Sequence, residues 1–544
     1  MTDSPAGVVV AGGPILTMAQ PSRAEAVATR GDRILAVGSL ADCRSAAGAG
    51  ATEVDLGGRA LLPGFVDAHI HPLMYGQTSS WLDASADRAG SIDALVELLR
   101  GEALKVPADR PLYAYGYDLR RFPERRHPTA RDLDRASSER EILLMHASGH
   151  GGVVNTAVLN RAGLTAGTPD PDGGDFGRFE DGSPNGRLFD SAWDLLAGEF
   201  GVRTEHHGPN IHHADSPDRL MAELEWAQAH ILRAGITTVA DAQVTRREME
   251  SWLALRDAGK LRMRVHMYVL SVLLNEVLQM GLVAPLGDDW LRFAGIKLYA
   301  DGTLVGRTAW MPDGYPDEPD NHGLLYHDQA FYSDMIRRAH SAGLQTATHA
   351  LSSAAIGVVL DALSAAERER PRRDARHRIE HCALPTAEQV AQMAALGIVP
   401  VAQSQHALLY GDGAIAAAGP EDGGRYHPLG MYARAGVRYA LSSDAPVAAP
   451  NPLQAVAAAV SRTTVLGTTL GSDDLKVSAE QALRAYTIDA AWGCHAEGNV
   501  GSIERGKKAD FAIVSSDPTV AAAESVSISE TWVGGVRINP GVSA

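Results

Sequence analysis

The stretch LLPGFVDAHIHP, residues 61–72, decides how the fold is interpreted. It is an apolar strand pattern that ends in His69 and His71, two residues apart. Because side chains alternate along a strand, the two imidazoles point to the same side. Enzymes built on a parallel barrel keep their active sites at the C-terminal ends of the strands. The pair therefore predicts a chelating site at the mouth of a barrel.

More apolar runs follow along the chain, and stretches with helical spacing separate them. Alternation of short strands and helices is typical of a parallel sheet. We expect strands at residues 60–68, 237–240, 263–269, 293–299, 345–348, 377–381, 398–402 and 439–442. Such a set closes naturally into a (β/α)8 TIM barrel of the α/β class, which we assign to residues 60–499.

The two ends of the chain differ from this pattern. Residues 1–59 and 500–544 carry short strands broken by glycines, and we expect them to pack together as one small, discontinuous β-sandwich domain. The gap between the first two barrel strands is too long for a simple connection. It predicts an insertion at about residues 75–225 that folds over the mouth of the barrel.

Composition restricts the partners of this protein. Its 544 residues are 45% hydrophobic, which suffices for a large core, and the net charge of −17 repels nucleic acid and anionic membranes. Cys43, Cys382 and Cys494 are isolated, and no apolar run reaches the length of about 18 residues that a membrane span needs. We expect a soluble, cytoplasmic protein with a small-molecule substrate, no nucleic-acid or membrane partner, and a homo-oligomeric state, most simply a dimer.

Other predicted strands also end in potential metal ligands. His349, His381 and Asp444 follow three of them, and these side chains suit Zn²⁺ or a related first-row metal with a position left for water. Each residue alone has a simpler interpretation, as a hydrogen-bonded histidine or a helix-capping aspartate. Four strand ends of this kind in one chain favour a site for one or two metal ions.

Lys297 is unusual because the chain has six lysines beside 43 arginines, and this one lies inside the apolar run FAGIKLYA. Burying an ammonium group is costly unless the group is paired or chemically altered. A lysine carbamylated by CO₂ is an anion that can bridge two metal ions. The alternative is an unmodified lysine at the barrel mouth, paired with Asp301.

The chain resembles the amidohydrolase superfamily, in the branch of large family-3 members that includes N-substituted formamide deformylases. The HxH, RIEH and SDAP motifs, in this order on a barrel pattern, are together highly specific. The matching stretches are LLPGFVDAHIHP, SGHGGVVN, GITTVAD, KLYADGTLVGRTA, THA, RIEHC, SSDAPV and VGSIERGKKADFAIV, and they span nearly the whole chain.

This resemblance implies a ligand set and a catalytic role. Asp444 would be both a ligand and the proton shuttle, and carbamylated Lys297 would be the bridge in dinuclear relatives. The implied metal ligands are His69, His71, Lys297, His349, His381 and Asp444. Two departures bear on substrate identity more than on metal binding: many relatives read HAIGD where this chain has Ser352 and Ser353, and many have Glu where it has Asp190.

Further residues are candidates for contact with the substrate. His150, in SGHGG, is a possible oxyanion donor or a structural histidine of the insertion. Arg307 would anchor an anionic group or pair with Asp301. Aromatic residues near the mouth suit a partly apolar substrate, or they belong to the core. The predicted substrate contacts are Trp81, Asp301, Arg307 and Trp310.

Together these features predict an enzyme: a metal-dependent hydrolase that cleaves a C–N bond of an amide through a metal-activated water. An N-formyl or N-acyl amide is the first substrate class. A cyclic amide or urea hydrolase, or a deaminase, is the alternative, because fold and metal do not select the bond. A catalytically silent binding protein is the third interpretation.

Overall fold

The computed structural model describes residues 6–105, 107, 110–197, 201–213 and 215–538. The fold comprises a mixed sheet made from both ends of the chain, a parallel barrel, and a third sheet inserted after the first barrel strand. The expected α/β barrel is confirmed.

The N-terminal segment forms one helix and five strands, and all five strands belong to the mixed sheet. Strand β1 pairs antiparallel with β2 and parallel with β4 and β5, and β2 turns into β3 at Gly31 and Asp32. The elements are β1 (Gly7–Leu16), β2 (Arg23–Arg30), β3 (Arg33–Gly38), α1 (Leu40–Ala47), β4 (Thr52–Asp55) and β5 (Ala60–Pro63).

The predicted first barrel strand, residues 60–68, is in fact divided between two sheets. Strand β5 belongs to the mixed sheet, and the barrel begins with β6 (Phe65–Ile70). Gly64 separates them, and a Cβ atom there would lie 2.2 Å from Thr237 Oγ1. The crossing therefore requires a residue without a side chain, a constraint that the continuous apolar run LLPGFV conceals.

The insertion forms a sheet of six strands in the order β11-β12-β10-β9-β8-β7. Leu95, Leu99 and Leu144 are fully buried in a hydrophobic cluster of its own. Strands β11 and β12 pair with each other antiparallel. The elements are α2 (Pro72–Ser79), β7 (Leu82–Asp83), α3 (Ile92–Ala103), β8 (Leu112–Tyr117), α4 (Ala130–Asp134), β9 (Ile142–His146), β10 (Gly151–Val154), α5 (Thr156–Arg161), β11 (Gly174–Arg178) and β12 (Pro184–Asp190).

The barrel continues with strands at each of the remaining predicted positions. Neighbouring strands pair in parallel in the order β6-β13-β14-β16-β17-β18-β19-β20, and β15 adds an antiparallel pairing to β16. These strands are buried on both faces, because one face fills the barrel and the other meets helices. They are β13 (Ile236–Val244), β14 (Arg264–Leu270), β15 (Leu286–Gly287), β16 (Leu291–Tyr299), β17 (Gln345–Ala350), β18 (Arg378–His381), β19 (Val399–Ala402) and β20 (Ala440–Leu441).

The helices that follow the insertion surround the barrel, and several have clear local start and stop signals. Helix α11 begins at a Thr386–Gln389 capping box and ends at Gly397, whose φ of 64° requires the left-handed region. The helices are α6 (Pro217–Arg233), α7 (Arg246–Asp257), α8 (Leu274–Gln279), α9 (Gln329–Ser341), α10 (Ser353–Glu369), α11 (Ala387–Leu396), α12 (Ser404–Gly424), α13 (Leu429–Arg434), α14 (Pro452–Ser461), α15 (Ala479–Ala485) and α16 (Ile488–Gly493).

The chain returns to the mixed sheet with β21 (Phe511–Val514), β22 (Ile528–Val533) and β23 (Val536–Ile538). Strand β21 pairs antiparallel with β5, so both ends of the chain lie in one sheet of order β23-β22-β21-β5-β1-β2-β3. A buried ion pair joins this region to the barrel, because Arg264 Nε donates to Asp510 Oδ2 at 2.6 Å. Both ends of the chain therefore contribute to one sheet. The division into domains stays a prediction, and β5 lies beyond the boundary expected at residue 59.

Within the described ranges, no helix has both the length and the apolar character that a membrane crossing requires. Cys43, Cys382 and Cys494 are buried and unpaired.

Candidate metal centre

The barrel closes where β6 ends beside the segment that follows β20. Asp444 N–H donates to His69 O at 2.9 Å, and His71 N–H donates to Ala445 O at 3.0 Å. Asp67, two residues before His69, accepts from Ser443 N–H at 3.1 Å. This closing seam therefore brings the two predicted ligands of the first strand next to the predicted ligand of the eighth.

Within this seam, one carboxylate oxygen faces both histidines. Asp444 Oδ1 lies 3.5 Å from His69 Nε2 and 3.4 Å from His71 Nε2. Burial alone would raise the pKa of Asp444, but the imidazoles of His71 and His69 hold that pKa well below its usual range. The carboxylate is therefore ionised and available as a ligand at neutral pH.

A buried ion pair orients His69. Its Nδ1 hydrogen-bonds to Glu380 Oε2, and Arg378 donates to the same carboxylate through Nε at 2.8 Å and through its terminal nitrogen. The tautomer with hydrogen on Nδ1 leaves the Nε2 lone pair facing Asp444. Burial, followed by the charge of Lys297, lowers the pKa of His69 to about 4, so the ring is neutral, as a ligand must be.

His381 and His349 reach the same cavity from the sixth and fifth strands. His381 Nδ1 lies 2.9 Å from Gln403 Oε1, and the His381 ring lies 4.4 Å from that of His349. His349 Nε2 donates to Gly302 O at 3.0 Å, which leaves Nδ1 as its lone-pair nitrogen. Burial holds the pKa of both rings well below the usual value.

Lys297 is completely buried on the fourth strand. Its Nζ lies 4.3 Å from the centroid of the Tyr299 ring and finds no hydrogen-bond partner among the described residues. Burial lowers the pKa of Lys297 to about 8, although the charges of Glu380 and Asp444 oppose the shift. The expected alternative, pairing with Asp301, is wrong, because the Asp301 carboxylate accepts from Leu351 N–H at 2.9 Å and from Ser352 N–H at 3.1 Å instead.

The donors in this cavity fit a divalent cation. One ligand atom from each of His69, His71 and Asp444 lies within 4.8 Å of the others, and the same holds for His381, His406 and Asp444. His71 Nδ1 and Lys297 Nζ are buried without partners among the described residues. Neutral imidazoles with an ionised carboxylate are the ligand set that Zn²⁺ and similar ions prefer.

A further histidine group, formed by His340 and His377, serves another purpose. His340 Nδ1 and His377 Nε2 are 2.8 Å apart, His340 Nε2 donates to Arg370 O, and His377 Nδ1 accepts from Thr346 N–H. Every nitrogen of these two rings is therefore hydrogen-bonded within the protein, which indicates a structural role for the pair.

The insertion contributes His150 to the cavity. His150 Nδ1 lies 2.8 Å from Asp190 Oδ1, and the same oxygen accepts from Tyr326 O–H at 2.5 Å. The ring centroid is 5.5 Å from that of His349. The carboxylate thus fixes the ring so that Nε2 faces the candidate metal centre.

Three residues of this cavity have unusual backbone conformations. The φ angles of Asp190, His381 and Asp444 are 54°, 65° and 59°. Such left-handed conformations are costly for residues other than glycine and cluster at functional sites, where the surrounding structure holds them in place.

Two adjoining pockets open onto the centre. One has an empty volume of about 430 Å³, and His150, His349, His381 and Asp444 line both. The first is otherwise mostly apolar and aromatic, with walls from Leu304, Val305, Leu351, Tyr410, Tyr426 and Val447.

The predicted substrate contacts line neither of these two pockets. Trp81 stacks on Tyr113 with ring centroids 4.9 Å apart inside the insertion, and Trp310 packs against the barrel core. Asp301 caps backbone amides, and burial raises its pKa to about 6. Arg307 pairs with Asp317 at 2.6 Å rather than with Asp301. These residues support the loops around the mouth instead of facing the cavity.

Several other residues of the site were not identified from the sequence. Glu380 and Arg378 lie within the quoted RIEH motif, and their charges in a strand are a signal for an inward-facing ion pair. Gln403 directly follows the seventh strand in AQSQH, the position that identified the other ligands, and His406 lies three residues further along the chain. The tyrosines of the wall, by contrast, lie on helix α12 and a loop, where spacing along the chain says nothing about the pocket.

Comparisons with known proteins agree with this geometry. A model of the amidohydrolase family matches residues 52–538. The sequence is 29% identical over 531 residues to N-substituted formamide deformylase of Arthrobacter pascens, covering 95% of each chain. It is 29% identical to the protein LONG AFTER FAR-RED 3 of Arabidopsis thaliana, covering 98% of this chain and 93% of that one. The crystal structure of an uncharacterized metal-dependent hydrolase from Pyrococcus furiosus has a TM-score of 0.73 at 25% identity, covering 94% of this chain and 100% of that one.

Proposed function

Since the chain belongs to the amidohydrolase family and is a hydrolase acting on C–N bonds, we propose that its substrate is a linear N-formyl or N-acyl amide of a small molecule. The observation that carries the proposal is the ionised, buried Asp444 carboxylate between His69 and His71, at the floor of a mostly apolar pocket. The similarity to a formamide deformylase supports the formyl group as the first acyl group to test.

We propose Zn²⁺ as the metal, held by the histidines and Asp444. A divalent ion in this position would act as a Lewis acid on the amide carbonyl and lower the pKa of a water molecule. The chain itself supplies everything that moves protons and orients the substrate.

Asp444 is placed to transfer the proton that the reaction requires. Its carboxylate takes a proton from the attacking water and delivers it to the departing nitrogen, because an amine leaves only when it is protonated. The seam bond from Asp444 N–H to His69 O keeps the carboxylate beside the histidines during both transfers.

His150 is placed to stabilise the negative charge that develops on the amide oxygen. With Nδ1 directed at Asp190, its Nε2 faces the pocket, where it would contact that oxygen. Asp190 fixes the orientation of the ring and is itself held by Tyr326.

Lys297 completes the proposed centre as a carbamate. The Nζ lone pair attacks the carbon of CO₂: an N–C bond forms, one C–O π bond opens and the nitrogen releases one proton, which leaves one negative charge shared by two oxygens that could bind metal ions. Its burial without a hydrogen-bond partner among the described residues supports this assignment, since an ammonium beside two cations would be strongly repelled.

The apolar pocket defines the rest of the substrate. Leu304, Leu351 and Tyr410 leave room for an aliphatic or aromatic substituent of modest size on the amide. A formyl or short acyl group would then lie toward Asp444, and the substituent toward the tyrosine.

The test is a screen of N-benzyl, N-alkyl and N-aryl formamides and acetamides, with cyclic ureas and cyclic amides as the competing class. Release of amine together with formate or acetate, absent with Asp444→Asn, would support the proposal. Turnover of cyclic compounds or release of ammonia alone would replace it with the cyclic hydrolase or deaminase alternative.

A further inference from the structure

The two oxygens of the Asp444 carboxylate face different histidine pairs. Oδ1 faces His69 and His71, whereas Oδ2 lies 3.8 Å from His406 Nε2 and 3.9 Å from His381 Nδ1. A carboxylate placed in this way is suited to bridge two cations, one on each side.

His406 enters the cavity from the first turn of helix α12, directly after the seventh barrel strand. The side chain is buried, and its Nε2 has no hydrogen-bond partner among the described residues. A buried polar atom without a partner costs free energy, so it calls for an explanation. Burial also lowers the pKa of His406, which keeps the ring neutral.

The side-chain amide of Gln403 fixes the orientation of the His381 ring. Gln403 Nε2 donates to Ser442 Oγ at 2.8 Å, so its Oε1 must face His381 and accept from Nδ1–H. The ring therefore carries its lone pair on Nε2, so Nε2, and not the Nδ1 that lies nearer to Asp444 Oδ2, would be the ligand atom. A neighbouring group fixes the orientation of the ring, as is usual for histidines that bind metals.

The distance between His406 Nε2 and Asp444 Oδ2 distinguishes a direct hydrogen bond from two ligands of a shared metal ion. At 3.8 Å the atoms are too far apart for a hydrogen bond. Two ligands of a shared tetrahedral ion, each about 2.0–2.1 Å from it, are about 3.3 Å apart, which a side-chain movement of about half an ångström would produce. One ligand atom from each of His381, His406 and Asp444 already lies within 4.8 Å of the others.

We propose that His406 is a metal ligand, and that it forms a second divalent-cation position with His381 and Asp444. The proposal rests on the proposed function insofar as it extends the metal centre of that enzyme. Its ligands are two neutral imidazoles and one carboxylate oxygen, a set that suits Zn²⁺, Co²⁺ or Mn²⁺.

The test counts metal ions in the full-length protein. Wild type, His406→Gln and His406→Cys are loaded with Zn²⁺, dialysed against a graded series of competing chelator, and analysed for metal per chain. His150→Gln is the matched control, because it removes an imidazole of similar burial from the same pocket. Melting curves establish that each variant is folded.

We expect two ions in wild type and in His150→Gln, and one tightly held ion in His406→Gln, with the affinity for the second lowered at least about 10-fold. His406→Cys should retain the second ion, since a thiolate also binds Zn²⁺. A purely structural role of His406 would not produce this rescue.

Equal metal content and affinity in wild type and His406→Gln, at either one or two ions per chain, would overturn the proposal. Retention of the second ion in neither the Gln nor the Cys variant, with both folded, would also count against a ligand role. Because the count requires no substrate, it can succeed or fail independently of the amide-hydrolysis screen.

Discussion

Asp444 combines three properties at one residue: a carboxylate that contacts two histidines, a strained backbone, and a place on the seam that closes the barrel. An aspartate tolerates a φ of 59° better than most residues, but the conformation still carries a cost. The seam bonds from Asp444 N–H to His69 O and from His71 N–H to Ala445 O offset it. The chemistry of this residue can therefore be tested by a change that preserves its shape.

Asp444→Asn should reduce kcat by about 10²-fold or more, because the amide keeps the shape but cannot carry the proton. The measurement is steady-state turnover of whichever formamide the screen identifies, with melting curves to establish that the fold is intact. Activity within a few-fold of wild type would remove Asp444 from the proton transfers.

Lys297→Ala should lose metal and activity together, with partial rescue by a small carboxylic acid that occupies the vacated space. Arginine should not substitute, since it is neither carbamylated nor deprotonated at working pH. Metal content and turnover are measured with and without added acetate or propionate. A crystal structure with an unmodified amine and a single ion at the histidines would contradict the carbamate.

Glu380→Gln should weaken metal binding by about 10- to 100-fold, because the amide no longer holds His69 Nδ1–H as a carboxylate does. Glu248→Gln is the control: it alters another buried glutamate next to a histidine, 3.4 Å from His212 Nε2. Competition with a chromogenic chelator measures both. Equal affinities in the two variants would mean that Glu380 serves folding only.

How far sequence predicts the site differs from residue to residue. His69, His71, His349, His381 and Asp444 were identifiable because each follows an apolar strand, and the structure brings them together. The substrate contacts were not, since Asp301 and the tryptophans are directed by loops whose course depends on long-range packing. His406 lies in the first turn of helix α12, four residues after its strand ends. It is therefore just outside the positions at strand ends where we looked for ligands.

At the scale of elements, the mixed sheet depends on pairing between distant parts of the chain. Strand β21 lies between β5 and β22 and thus joins the N-terminal strands to the C-terminal ones. Ile15, Leu61 and Phe511 share one buried cluster. Removing β21 would expose this cluster and leave β5 with an open edge.

Deleting the chain after Lys508 should therefore destabilise the N-terminal strands as well as remove the C-terminal ones. Hydrogen exchange in β1–β3 and the melting temperature are the measurements. A chain ending at Gly535, which lacks the edge strand β23, is the control and should lose much less stability. Equal solubility, activity and heat stability of the chain ending at Lys508 and the full chain would refute the dependence.

The strands of the barrel were predictable because apolar runs buried on both faces are strong signals. The boundary at Gly64 was not, because LLPGFV is apolar on both sides of it and only the approach of Thr237 reveals the crossing. The partner of β21 was equally hidden, since nothing local in ADFAIV indicates pairing with residues so far away in the chain.

At the scale of the whole molecule, the ligands connect distant strands of the barrel, so metal binding should stabilise the entire fold. Purified protein should carry one or two transition-metal ions per chain. Removing them should lower the free energy of unfolding by about 4 kcal/mol if the free ion had been present at about 1,000 times its Kd. Elemental analysis and chemical denaturation before and after chelation measure this, and a protein without stoichiometric metal even after supplementation would contradict it.

The six-stranded insertion has its own hydrophobic cluster, and it supplies His150 to the cavity but none of the proposed ligands. The proposed ligands and the apolar wall of the pocket thus come from segments outside the insertion, and the insertion adds a histidine to them. Exchange of the insertion between relatives would leave the metal ligands in place and change His150 and its surroundings. A protein engineer can graft the insertion of one relative onto the barrel of another and so separate what the insertion contributes to turnover from what the barrel contributes to metal binding.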